Sequence, residues 1–248
     1  MTKRDVVGRY RGSVLGIAWS FLVPMLMLGI YIFVFSFVFQ ARWGGESGNK
    51  LEFGIFLYAG LIVHSLFAEC LSKAPLLIIG NPNFVKRVVF PLEILPLVSV
   101  CSALIHSAFN ITVLLIAQLL IHGSLQWTTL LLPVVFLPLI IFTLGASWFL
   151  ASLGTYVRDV AQFVGLVMTV LLFISPIFYP ASVIPEEFRP FLFLNPLTFI
   201  IEQTRDVLLV GNAPAWGRLG IYLLISLSVG WIGFLWFQKT RKGFGDVI

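Results

Sequence analysis

The chain has 248 residues, 59% of them hydrophobic and only 11% charged, against about 25% charged in an ordinary soluble domain. Its mean hydropathy is +1.00, so there are too few polar groups to coat a soluble fold, and a soluble enzyme or nucleic-acid binder is excluded. The formal net charge of +5 has to be read by position relative to a bilayer.

In residues 1–18, Val6, Tyr10, Val14 and Ile17 share one helical face, while Arg4, Arg9 and Arg11 lie elsewhere. That pattern suits a helix in the membrane interface, with its cations against anionic head groups. An irregular basic leader that only orients the first span is the alternative, and Gly8, Gly12 and Gly16 weaken a helix by about 1 kcal/mol each relative to Ala. The apolar run that follows is too long for a signal-peptide core, so no cleavable leader is expected.

A spanning helix needs about 20 mostly apolar residues. Residues 12–41 carry no charge, and a first span is expected at 20–40. A second, at 54–72, carries only Glu69. The uncharged stretch 94–157 breaks at His122-Gly123-Ser124 into spans at 98–121 and 129–154. Arg158-Asp159 separates these from a fifth span at 162–180, and a sixth runs at 219–238. Such continuous runs exclude a barrel of short alternating strands. The expected fold is an all-α integral membrane protein, one transmembrane domain over 1–248 with six transmembrane helices.

Six spans put both termini on one side. That side holds Lys3, Arg4, Arg9, Arg11, Lys73, Lys86, Arg87, Arg158, Lys239, Arg241 and Lys242, against Arg42, Lys50, Arg189, Arg205 and Arg218 opposite. The excess makes the termini cytoplasmic. On the same side, in the segment 81–91, Asn81 can cap, Pro82 suits the first helical position and Pro91 forbids continuation. A short helix is expected there, with Lys86-Arg87 beside Phe84, Val85, Val88 and Phe90, either dipping into head groups or filling a groove on a partner protein. The external segment 181–218 is too polar to span and is cut by prolines, so short amphipathic helices folded back toward the interface are expected.

None of the six lysines follows a glycine, so no phosphate-binding G-x-x-x-x-G-K-[ST] loop can be written, and H-E-x-x-H, C-x-x-C and G-x-S-x-G are absent too. Any ATP use therefore requires another chain. Cys70 and Cys101 read as small buried hydrophobes. His64, Glu69 and His106 are either a proton relay or neutral hydrogen-bonding groups between helices, with Asn110 and Gln118. In the first span Tyr31, Phe35 and Phe39 share a face, with Phe33 and Phe37 on another. These rings either pack or form a wall on which sugar rings stack, and the scarcity of buried charge favours a neutral, hydroxyl-rich cargo over an ion.

Several motifs together resemble the membrane subunit of type 2 ABC exporters, within them the polysaccharide exporters for O-antigen, capsule or teichoic acid. They are Arg4-Asp5, Arg9-Tyr10-Arg11-Gly12-Ser13-Val14-Leu15-Gly16, Trp19 and Pro24, then the run from Asn81 to Pro96, Arg158-Asp159, Ser175-Pro176-Ile177-Phe178-Tyr179 and Asn195-Pro196. The resemblance implies a homodimer with two cytoplasmic ATP-binding subunits, which hold the ATP and Mg while this chain binds no cofactor or metal. It implies a lipid-linked glycan as cargo and the bacterial cytoplasmic (inner) membrane as location. Arg4, Arg9, Tyr10 and Arg11 would belong to the interface helix. Asn83, Phe84, Lys86, Arg87, Phe90, Arg158 and Asp159 would couple to the ATPase. Tyr31, Phe35, Phe39, Phe178 and Tyr179 would line the channel, and Pro185, Phe188, Asn195 and Pro196 would form an external gate within 181–206. Few residues precede Arg9-Tyr10-Arg11-Gly12, where members of the family begin earlier. The alternatives are a drug or lipid exporter of the same type, a proton-coupled carrier using His64, Glu69 and His106, for which no inverted repeat is seen, and a membrane enzyme built on Glu186, Glu187, Glu202 and Asp206.

Overall fold

A computed structural model describes residues 2, 15–40, 50–86, 90–188, 192 and 194–247. Arg4, Arg9, Tyr10, Arg11 and Arg87 lie outside the described residues, and with them the expected interface helix. Among the described residues there are helices and turns but no strand.

Among the described residues, five helical stretches are long and apolar enough to cross a bilayer: Trp19–Val38, Leu51–Leu76, Ile94–His122, Trp127–Tyr156 and Trp216–Gly243. In chain order the helices are α1 (Trp19–Tyr31), α2 (Lys50–Lys73), α3 (Pro82–Lys86), α4 (Ile94–His122), α5 (Leu132–Tyr156), α6 (Val160–Ile174), α7 (Pro196–Arg205), α8 (Trp216–Thr240) and α9 (Phe244–Val247). The chain is thus a multi-pass, all-helical membrane protein. The expected fifth span, 162–180, coincides with α6, which has 15 residues and a length of about 22 Å at 1.5 Å per residue, short of the ~30 Å hydrocarbon core. Ser175 is extended (φ −68°, ψ 147°), the backbone that a following proline favours, and the helix stops there.

α2 is the hub. It is the most buried of the five spans and α1 is the least, and α2 packs against α1, α4, α5, α6 and α7. α1 carries Pro24 in its interior and widens after Tyr31 into a π-helical stretch, Ile32–Val38. There Ile32 lies against α2 at Gly54, where a Cβ would sit 2.5 Å from the Ile32 side chain. At the far end of α4, Gly123 takes φ +73° and its N–H bonds the Leu119 carbonyl, the left-handed cap that glycine supplies without strain.

α5 and α8 make the most extensive helix pair, and small residues explain it. A Cβ added at Gly145 would lie 2.6 Å from the Gly230 Cα, and one at Gly233 would strike the Gly145 carbonyl. In lipid there is no hydrophobic force between helices, so close backbone approach through small residues is what holds such a pair. Gly154 meets Pro75 in the same way, which fixes the turn after α2 against α5.

Candidate functional site

Sequence motifs that stand far apart meet where α6 ends. Asn195 caps α7: its Oδ1 accepts the Leu197 N–H at 2.9 Å, with Pro196 in the first turn. Its Nδ2 donates to Ser175 Oγ at 2.7 Å, and Ser175 Oγ donates to the Leu171 carbonyl at 2.6 Å. One asparagine therefore starts α7 and ties it to the end of α6.

The pin of this region is Arg205, which sequence reasoning counted only as an external positive charge. It is 4% exposed. Its guanidinium donates to the carbonyls of Phe56 on α2 (2.9 Å), Pro176 (2.6 Å) and Ile177 (3.0 Å). A Cβ at Gly60 would come within 3.0 Å of Arg205 Nη2, so glycine opens the berth. Burial lowers the guanidinium pKa, Glu202 nearby works to raise it, and an arginine starts so high that it remains charged. Burial likewise raises the Glu202 carboxyl, against the pull of Arg205. The signal available in the sequence was Arg205 itself, a lone cation between Phe199-Ile200-Ile201 and Val207-Leu208-Leu209.

Beside this pin lies an aromatic cluster. Phe35 stacks on Phe53 (5.6 Å) and Phe178 (5.9 Å) and meets Phe39 at 5.6 Å, and Phe178 stacks on Phe173 at 5.9 Å. Tyr31 lies 6.4 Å from Tyr58. Phe39 and Phe173 are exposed, whereas Tyr31, Phe35, Phe178 and Tyr179 are half-buried. The hydroxyl of Tyr179 donates to the carbonyls of Phe173 and Ile174, closing the end of α6. Phe33 and Phe37 stack on one another, exposed, away from this group. Of the five sequence-selected channel residues, Phe35, Phe39 and Phe178 share ring contacts, which Phe173 extends, while Tyr179 bonds the end of α6 and Tyr31 lies against Tyr58. In 181–194 the described residues form 3₁₀ turns at Ala181–Val183 and Glu186–Phe188, with Pro185 and Phe188 exposed.

At the opposite end, α3 is five residues long, with Asn83 exposed and Lys86 its last residue. Phe84 and Phe90 stack at 4.7 Å and pack against a small core that includes Phe237 and Phe244. Their apolar faces are therefore met in part inside the chain, by Phe237 of α8 and Phe244 of the tail that follows it. Arg241 forks onto both carboxylate oxygens of Glu93 at 3.1 Å, Gln238 adds a bond at 3.3 Å, and Trp148 donates to the Glu93 carbonyl at 3.0 Å. Burial works to raise the Glu93 carboxyl, but its hydrogen bonds and the charge of Arg241 outweigh this and hold it low. Arg158 and Asp159 are exposed at the same end, between α5 and α6.

Three polar residues inside the spans are engaged. His64 Nε2–H donates to the Met168 carbonyl at 3.0 Å, Glu69 pairs with Lys73 at 2.7 Å, and Gln118 donates to the Leu208 carbonyl at 2.7 Å. Among the described residues no group of three His, Cys, Asp or Glu could hold a metal ion.

Residues 1–209 match the family described as ABC-2 type transporter. The chain belongs to this family. The permease is 28% identical over 251 residues to the O-antigen export system permease protein RfbA of Klebsiella pneumoniae, covering 100% of this chain and 93% of the relative. It is 26% identical to the protein of that name from Myxococcus xanthus, covering 100% and 94%. It is 24% identical to the polysialic acid transport protein KpsM of Escherichia coli, covering 96% and 91%. As a type 2 ABC permease the chain is not itself an enzyme; ATP is hydrolysed by a separate ATP-binding subunit.

Proposed function

We propose that the chain is the channel-forming permease of an ATP-driven exporter moving a lipid-linked, O-antigen-like polysaccharide across the bacterial cytoplasmic membrane. The observation that carries this reading is the end-to-end match to permeases named for O-antigen export. The aromatic cluster supports it, since several weak ring contacts suit a polymer that must slide. In this reading two copies face each other, each with an ATP-binding subunit below. α6, continued by 175–180, makes the sixth crossing, and both termini are cytoplasmic. Residues 1–18, with Arg4, Arg9, Tyr10 and Arg11, lie in the interface.

Asn83, Lys86 and Arg87 meet the ATP-binding subunit, with Arg158 and Asp159 in a second contact. Phe84 and Phe90 carry that push into the tail. Pro185, Phe188, Asn195 and Pro196 form the exit gate, held by Arg205. Exposed Phe39 and Phe173 offer rings to the sugar, backed by Tyr31, Phe35, Phe178 and Tyr179.

Cells lacking the chain are expected to lose surface polysaccharide and to accumulate lipid-linked polymer inside. A plasmid copy should restore export only when the ATP-binding subunit keeps its phosphate-loop lysine. Unchanged surface polymer in the deletion strain overturns the reading. A finer test concerns the track. Phe39→Ala with Phe173→Ala should lower export severalfold at unchanged expression, because both rings are exposed and ring stacking contributes about 1–3 kcal/mol in comparable settings. Phe33→Ala with Phe37→Ala should do less, and equal effects of the two pairs would place the track elsewhere.

A further inference from the structure

We propose that the cavity between α5, α7 and α8 binds one membrane phospholipid whose head group carries both a phosphate and a primary ammonium, the ethanolamine type. The cavity measures about 390 Å³, within the roughly 300–1,000 Å³ of ordinary ligand pockets. Its wall on α8 runs from Arg218 through Ile221 to Ile225, about 10 Å at 1.5 Å per residue. Tyr222 joins the three helices: its hydroxyl donates to the Pro196 carbonyl at 2.8 Å, and its ring lies 6.0 Å from Phe199 and 6.4 Å from Phe142.

Two opposite charges line the cavity, Glu202 from α7 and Arg218 from α8. The ion pairs among the described residues, Lys73–Glu69, His122–Glu52 and Arg241–Glu93, include neither of them. Yet the two sense each other: burial raises the Glu202 carboxyl, and Arg205 and Arg218 both work against it. Arg218 stands in the first turn of α8, where a cation opposes the helix dipole, so the stability of α8 does not explain it. Exposed Trp216, two residues earlier, is the kind of ring that sits at a bilayer surface. Below Arg218 the helix carries no charge from Leu219 to Gln238, and Ile221, Leu224 and Ile225 are exposed. The cavity therefore has charge at the level of head groups and an apolar slot leading to the depth of acyl chains.

This combination selects the occupant. A purely apolar molecule would use neither charge. A head group with a phosphate alone would meet Arg218 but bring its own charge beside Glu202. A choline head group supplies the cation but no N–H for the carboxylate to accept, whereas a primary ammonium has three. A helix from a second copy, about 10–12 Å across with its side chains, would cap the mouth without entering the slot. An ethanolamine phospholipid satisfies all three demands: phosphate on Arg218, ammonium on Glu202, and one acyl chain started along Ile221 and Ile225.

The test uses the permease with its ATP-binding subunit, purified in detergent and stripped of lipid. It is mixed with equal amounts of dioleoyl phosphatidylethanolamine, phosphatidylcholine and phosphatidylglycerol, and native mass spectrometry reads the lipids retained. The parent should hold one phosphatidylethanolamine per chain, preferred about fivefold over each of the others; that is about 1 kcal/mol, the upper end for a partly exposed ion pair. Glu202→Gln should erase the preference over phosphatidylcholine, and Arg218→Gln should lower retention of all three. Ile225→Trp, at an exposed position where folding makes little demand, should obstruct the slot and lower all three as well. Equal retention of the three lipids by the parent, or a preference unchanged in Glu202→Gln, overturns the head-group assignment. No lipid retained, or retention unchanged in both Arg218→Gln and Ile225→Trp, overturns the site. Retention is read without transport, so normal surface polymer in the deletion strain would sink the exporter reading and leave this result standing.

Discussion

Replacing Arg205 with leucine should destabilise the permease by about 3–5 kcal/mol, the usual loss when one member of a buried charged network is removed, and should abolish export. The substitution leaves the carbonyls of Phe56, Pro176 and Ile177 without donors in a buried site, and each orphaned acceptor costs about 1–3 kcal/mol. It also frees the end of α6 from α2, so the Ser175–Tyr179 segment loses its placement. Arg205→Lys should recover only part of the loss, because an ammonium is a compact point charge and cannot fork to three separated carbonyls. Thermal unfolding of the detergent-solubilised complex, with surface polymer measured in parallel, checks this. A leucine variant within 1 kcal/mol of the parent would show that the pin is dispensable.

Gly145→Val is the second large effect expected. Its Cβ would fall 2.6–2.7 Å from the Gly230 Cα, the Gly230 N and the Val229 carbonyl oxygen. All three are backbone atoms, so no side-chain rotation relieves the clash and α5 must separate from α8. Overpacking of a tight core costs about 1–3 kcal/mol and sometimes more, and the upper end applies here because two backbones face each other. The folded yield of the permease should fall sharply, with export falling in step. Gly29→Ala and Gly165→Ala meet nothing within 4 Å, and should be neutral or stabilise by up to about 1 kcal/mol through helix propensity. Equal tolerance at Gly145 and Gly165 would refute the close contact.

The spans were legible because hydropathy acts along a single segment: the runs around Tyr31, Ile62, Leu114, Leu139 and Leu224 each announce a helix without reference to any other. The break at His122-Gly123 was legible for the same reason, since a glycine cap is local, whereas Asn195-Pro196 entered only through the resemblance and its cap on α7 was not read. Arg205 was not legible. A charge between two apolar patches reads as surface in one dimension, and its partners are carbonyls of residues 28, 29 and 149 positions away, which any sequence possesses. Phe84 and Phe90 show the complementary limit. Their hydrophobicity was evident and cover by head groups or a partner protein was expected, whereas Phe237 and Phe244 of the same chain supply part of that cover. The length of α6 escaped too, because Pro176 breaks the helix while the sequence stays apolar through Tyr179.

The glycine contact between α5 and α8 also bears on how the permease is made. About 60 residues separate Tyr156 from Trp216, and at roughly 5–20 residues per second the ribosome delivers the second helix some 3–12 s after the first. Throughout that interval the bare backbone strip at Gly145 has no mate, and Ser147, whose buried hydroxyl has no partner even in the finished fold, faces the bilayer or the insertion machinery. Nascent chains halted before residue 216 are therefore assembly intermediates with an open seam, the form that quality-control proteases and chaperones of the membrane would meet first.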